Sequence, residues 1–229
     1  MGKSLILTPK DEELFLDLCS AAVEGKASTV AHLLALGVDP DSRPLALAAA
    51  NGHIDCVEGL ASRSTKRARG AALLAAVSNK REDCALFLAP LCSPESNARA
   101  LDSAASCGLF RCLPALIDGL SGNPDTSEAL RTACRNGHIE CVRLLIPPSG
   151  LGKEPSLILE SAASAPNAAI AEAILSSHDF LADDLAVAGY VARAFNNVAT
   201  AAAIDAHGER LEIKGAISKA PSKPSFARL

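Results

Sequence analysis

The sequence predicts an all-α helical repeat solenoid of six or seven helix pairs with short connections. Three observations carry this prediction. Hydrophobic residues make up 49% of the 229, yet aromatics only 3%, with no Trp and one Tyr. A core of Ala, Leu, Val, Ile and Cys suits closely packed helices, whereas a β-sandwich draws on aromatic and β-branched side chains. The stretch Asn51-Gly52-His53-Ile54-Asp55-Cys56 returns as Asn136-Gly137-His138-Ile139-Glu140-Cys141, and self-similarity of this kind marks a repeat architecture. Finally, Cys56, Cys84, Cys112 and Cys141 recur at intervals of about 28 residues, at the short helical end of known repeat lengths.

The copies follow in chain order. The first centres on Gly25, with Val30, Leu33 and Leu34 on its second helix. The second holds Asn51-Gly52. Two degenerate copies follow, one with Asn79 and Cys84 in register, the next with Cys107, Gly108 and Cys112. The copy at Asn136-Gly137 comes next. A further one puts Pro166 in place of the glycine and keeps Ile170, Ile174 and Leu175; a weaker last copy spans AGYVARAFNNVATAAAI.

Each copy opens with a short helix carrying Leu and an Ala pair: Leu45/Ala48/Ala49, Leu101/Ala104/Ala105, Leu130/Ala133, Leu159/Ala162/Ala163. A tight turn follows at Asn-Gly, where a helix end calls for a left-handed residue. The second helix carries Val57/Leu60, Leu86/Leu88, Leu113/Leu116, Val142/Leu145 or Ile170/Ile174 at helical spacing. Small Ala residues let the first helices of neighbouring copies approach closely, and stacking buries a face that one pair cannot bury alone.

RPLALAAANGHIDCVEGLASRS resembles an ankyrin repeat, whose pattern is Thr-Pro-Leu-His-x-Ala-Ala-x-x-Gly-His and then Val-x-x-Leu-Leu; LLALGVDPD from Leu33 resembles the segment that closes one. The resemblance covers roughly residues 11 to 205 and is strong around Gly25, Gly52 and Gly137. It departs in period, about 28 rather than about 33 residues, so long β-turn fingers are expected to be trimmed. The opening motif survives only as Arg43-Pro44-Leu45-Ala46. The expected organisation is an N-terminal extension over 1–10, one repeat domain over 11–205, a C-terminal cap over 206–217 and a basic, Pro/Ser-rich disordered tail over 218–229.

Cys134, His138 and Cys141 invite a zinc reading. The turn at Asn136-Gly137 interrupts the helix between the first two, no fourth ligand lies nearby, and a metal site seldom comes twice with the same flanking hydrophobics. The ankyrin resemblance implies instead that Cys134 fills an Ala position, that His138 and His53 cap their second helices, and that Cys56 and Cys141 are small buried residues. Cysteines at repeat-equivalent positions, with no Cys-x-x-Cys pair, point to a reducing intracellular compartment such as the cytoplasm. No metal and no cofactor are expected.

Catalysis has no footing either. Of the five histidines, His32, His53 and His138 fall at repeat positions, and His178 and His207 near helix ends or loops. No nucleophile elbow, His-Glu-x-x-His or phosphate loop appears, and GKS near the start lacks the upstream glycine of one. MGKSLILTPKDEEL turns acidic too soon for a secretory signal, and Ile6 breaks the myristoylation pattern. No apolar run approaches a membrane span. A net charge of -4 gives no overall attraction for nucleic acid. SRSTKRARG, from Ser62, places four basic residues in what reads as a solvated loop, with a localisation or nucleic-acid patch as the alternative.

What remains is a non-catalytic protein-interaction module, the role that the resemblance implies. In ankyrin-like stacks partners meet the concave face, lined by the first helices. By register, two positions per copy lie four apart on that face: Ala46/Ala50, Leu74/Ser78, Asp102/Ser106, Arg131/Arg135 and Glu160/Ser164, with the turn residues Asn51, Asn79 and Asn136 beside them. Arg131 and Arg135 could grip a partner carboxylate; the alternative is an inter-repeat ladder of Arg131 with Asp102 and Glu160. The expected partner is a protein, with no small-molecule substrate, membrane or nucleic acid. A secreted bacterial or viral effector that recruits a host protein, acting in the host cytosol, and a scaffold or assembly subunit are the alternative settings for the same surface.

Overall fold

The computed structural model describes residues 9–40, 42–122, 125–146, 151 and 154–219. Of the expected extension over 1–10 and tail over 218–229, residues 1–8 and 220–229 lie outside the described residues, while 9–10 belong to the first helix and 218–219 to the last. Fourteen α-helices and no strand form among the described residues, in the order α1 Pro9–Glu24, α2 Ala27–Ala35, α3 Ser42–Asn51, α4 Ile54–Ala61, α5 Lys66–Ser78, α6 Glu82–Leu88, α7 Pro94–Cys107, α8 Leu113–Asp118, α9 Ser127–Asn136, α10 Ile139–Leu145, α11 Pro155–Ala163, α12 Ala168–Ser177, α13 Ala182–Ala194 and α14 Val198–Lys219. They make seven consecutive pairs, so the weak last copy is a full pair. In the fourth pair a 3-10 turn, Phe110–Cys112, precedes the short α8.

The pairs are built as their sequences dictate. Leu45, Ala48 and Ala49 on α3, and Leu101, Ala104 and Ala105 on α7, are at most 2% exposed. The four period-defining cysteines are buried beside the second-helix apolar residues. On α6 the buried pair is Ala85 and Leu88, whereas Leu86 is half-buried. The inward face of α6 thus follows the Cys56-Val57-Leu60 register, with Leu86 turned off it. Caps fix several starts: Thr65 Oγ1 accepts from Ala68 N–H at 3.2 Å, Ser93 Oγ from Ser96 N–H at 3.3 Å, and Asn167 Oδ1 from Ala169 N–H at 3.0 Å. At α13 the Asp184 carboxylate accepts from the Leu181 N–H at 3.3 Å.

The turn between paired helices is left-handed in six of the seven pairs, at Gly25, Gly52, Lys80, Gly108, Gly137 and Asn196. The sequence marks four of these by glycine. Lys80 holds the same conformation with a Cβ, at φ +57, which costs roughly 1–2 kcal/mol in an L-residue.

The chain divides into two compact units, Met1–Ala133 and Cys134–Leu229, the boundary falling within α9. In the first, α3 packs between α1 and α5, and α5 against α7; among the second helices, α4 packs between α2 and α6. In the second unit α11 packs on α13, and α12 touches both α10 and α14. Residues 206–217, expected as a separate cap, lie within α14, whose partner α13 is tied to it by Arg193 Nη2 donating to Asp205 Oδ1 and Oδ2 at 2.9 and 2.7 Å.

Candidate protein-binding face

In the first unit the apolar stripe of each first helix turns inward; the outward positions are the half-buried Ala46 and Ala50 on α3, while α5 and α7 carry polar residues there. Asn51, Ser78, Asn79, Asp102 and Ser106 are all exposed. The Asn51 amide donates to Leu47 O at 2.8 Å and the Asn79 amide to Ala75 O at 2.8 Å. Both asparagines therefore fold their side chains back onto their own helix end while facing solvent. Asp102 lines a cleft of about 330 Å³ with Pro94, Ala98, Leu120, Asp125 and Glu128. Partial burial, and then the nearby Glu128 carboxylate, push its carboxyl above the usual range.

Arg131 is half-buried, and its Nη1 pairs with Glu128 Oε2 one turn earlier on α9 at 3.4 Å. Its ion pair lies within its own helix, not across to Asp102 of the adjacent copy as the ladder required. Its Nε is buried without a partner. In the second unit Arg135 and Asn136 are exposed at the end of α9, and Glu160 on α11 and Ser164, just after its end, are half-buried. Ser164 Oγ donates to Ser161 O at 2.9 Å and so closes its own helix end.

The histidine expected to cap α4 does something else. His53 occupies the N-cap position but makes no side-chain cap bond. Its Nε2 lies 2.8 Å from Val23 O at the end of α1, in the preceding copy; a carbonyl only accepts, so Nε2 carries the proton there. His138 likewise makes no side-chain cap on α10. The device recurs. Arg81, equivalent to His53, donates from Nε to Ala50 O at 3.2 Å, and Asn197 donates to Ala163 O and Ala165 O at 3.0 Å each. The residue that opens a second helix thus reaches back to the first helix of the copy before it. Three residue types serve one geometry, which is why sequence alone did not reveal it; the shared signal is a donor immediately after the left-handed turn residue, at Gly52, Lys80 and Asn196.

The basic run also changes character. Only Arg63 lies in the loop, where Nη1 donates to Leu34 O at 2.7 Å at the end of α2's copy. Lys66, Arg67 and Arg69 form the first turn of α5, not a solvated loop. Cys134 is fully buried and its thiol is pushed up to about 12 by desolvation, the opposite of an activated nucleophile. Among the described residues no group of three or more His, Cys, Asp or Glu could hold a metal ion, and no helix is long and apolar enough to cross a membrane.

Residues 18–100 match the family model of ankyrin repeats, in three copies. The match includes the degenerate copy at Asn79, while the copy at Gly137, whose motif reads more clearly, lies outside it. The crystal structure of the human ASB11 ankyrin repeat domain is similar in fold, with a TM-score of 0.61 over 83% of this chain and 96% of that one, at 19% sequence identity. No curated protein matches the sequence. Residues 18–100 thus carry ankyrin repeats, and the helix pairs with their left-handed turns share the ankyrin-repeat fold.

Proposed function

We propose that the chain is a non-catalytic protein-binding module that meets its partner through the outward stripe of its first helices, the concave face of an ankyrin stack. The observation that carries the reading is the division of those helices. Leu and Ala positions are buried, while Ser78, Asp102 and Ser106, on successive first helices of one unit, are exposed and polar. Stacked repeats present such positions as an extended surface, and positions carried on helices lower the ordering cost of binding. The test is affinity capture with the wild-type chain, with Ser78→Glu/Ser106→Glu, with Arg131→Glu/Arg135→Glu, and with Glu58→Lys on the exposed side of α4 as a second-helix control. Circular dichroism first establishes that all remain helical. A partner kept by the Glu58 variant and lost by the first-helix variants supports the reading. A partner lost only with Glu58→Lys overturns it.

A further inference from the structure

The first-helix face of the first unit carries a basic cleft, of about 540 Å³, between α5 and α7. It is lined by Lys66, Arg67, Gly70, Ala71 and Leu74 on one side and by Ser93, Glu95, Ser96 and Arg99 on the other. Three cations face one carboxylate there, in a chain whose net charge is -4. None of Lys66, Arg67 or Arg99 has an ion-pair partner among the described residues. Arg69 adds a fourth positive charge on the same turn, beside Cys92.

This arrangement works against the fold. The N-terminal turn of a helix is its positive end, where cations are unfavourable by about 0.3–1 kcal/mol each. Lys66, Arg67 and Arg69 all occupy the first turn of α5, which holds no acidic residue. Folding leaves these charges uncompensated, whereas an anion in the cleft would answer both the side chains and the helix end. The wall is also made for close approach. Gly70 faces Ser96, and a Cβ there would collide with the Ser96 hydroxyl. Hydroxyls of Ser93 and Ser96, 3.0 Å apart, stand at the rim, and Leu74 adds an apolar contact.

We propose that this cleft is the docking site for an acidic segment of the partner protein, its Asp or Glu carboxylates received by Lys66, Arg67 and Arg99. The proposal rests on the first-helix reading above and gives its partner a chemistry. Helix α7 argues for a peptide over a nucleic acid. Arg99 faces the basic cleft, but Asp102, three residues on, faces the next cleft together with Asp125 and Glu128. A polyanion running along the face would meet three carboxylates one helix later. A protein segment, acidic over a few residues only, would not.

The test uses the full chain and a fluorescein-labelled peptide of alternating Glu and Leu, read by anisotropy against the same peptide with Gln for Glu and against a single-stranded oligonucleotide. The acidic peptide binds wild type, weakens with added salt, and weakens at least about tenfold in Lys66→Glu/Arg99→Glu. Lys80→Glu, at the turn end of the repeats, leaves it unchanged. Equal binding of the Gln peptide, equal binding by the Lys66→Glu/Arg99→Glu chain, or tighter binding of the oligonucleotide would each overturn the proposal. A photo-cross-linker at Ser78 separates the two readings. If it captures the same partner from wild type and from Lys66→Glu/Arg99→Glu, the first-helix face stands and the basic cleft falls.

Discussion

Gly25 and Gly37 provide a matched pair for measuring what holds one copy on the next. Both are left-handed, at φ +74 and +88. An added Cβ meets nothing within 4 Å at Gly37, whereas at Gly25 it sits 2.6 Å from His53 Nδ1 and 2.8 Å from Cε1. Gly37→Ala therefore carries only the conformational penalty, about 1–2 kcal/mol, reduced by the lower entropy of the unfolded chain to a net of about 1 kcal/mol. Gly25→Ala carries the same penalty and must also move the imidazole that reaches Val23 O. Losing that bond costs about 0.5–1.5 kcal/mol, and displacing a packed ring adds about 1 kcal/mol. The expected total is about 3 kcal/mol. Adding His53→Ala removes the collision and the bond is then lost only once, so the double variant should lose about 2 kcal/mol less than the two single losses summed. Urea unfolding followed by circular dichroism gives all four values. Equal losses for Gly25→Ala and Gly37→Ala, within about 0.5 kcal/mol, would refute the claim that the His53 contact couples adjacent copies.

Three further outcomes follow from the same geometry. Lys80→Gly relieves the left-handed lysine and should stabilise the chain by about 1 kcal/mol in the same unfolding assay; a loss would mean that the lysine side chain contributes more than the strain takes away. Asp102 has a raised carboxyl value, so the native state holds its proton more tightly than the unfolded chain; its favourable contribution is fullest in acid and is lost as pH rises through that raised value. Asp102→Asn should accordingly stabilise at neutral pH, with the gain vanishing by about pH 3; a gain independent of pH would contradict the assignment. A disulfide-forming thiol reagent should label Cys107 first, then Cys92, whose thiol burial pushes up to about 11, and leave the buried Cys56, Cys84, Cys112, Cys134 and Cys141 untouched until unfolding; rapid native labelling of any of those five would contradict the packing.

The periodic features were legible because they depend on residue size. A cysteine every 28 or so residues, and a Leu followed by two alanines, have one physical use in a stacked helix pair, and both lie where the pattern put them. Conformation and reach were harder to see. Lys80 occupies the left-handed turn although nothing in its chemistry favours it. His53, Arg81 and Asn197 share one role with three different side chains, because a carbonyl asks only for a donor at the right distance. Arg63 and Lys66 are three residues apart in one basic run, yet Thr65 caps a helix between them and gives them separate tasks. The candidate face was readable as positions, through register, while the partners of Arg131 and the cleft above α5 depend on which helix ends meet.

The central claim, that this chain binds a protein through its first helices, is tested most directly by site-specific photo-cross-linking in cells that express it. A benzophenone side chain placed at Ser78 or at Ser106 should trap one discrete covalent adduct, and the same group at Glu58 on α4 should trap none. An adduct formed from Glu58 and absent from both first-helix positions would contradict the account.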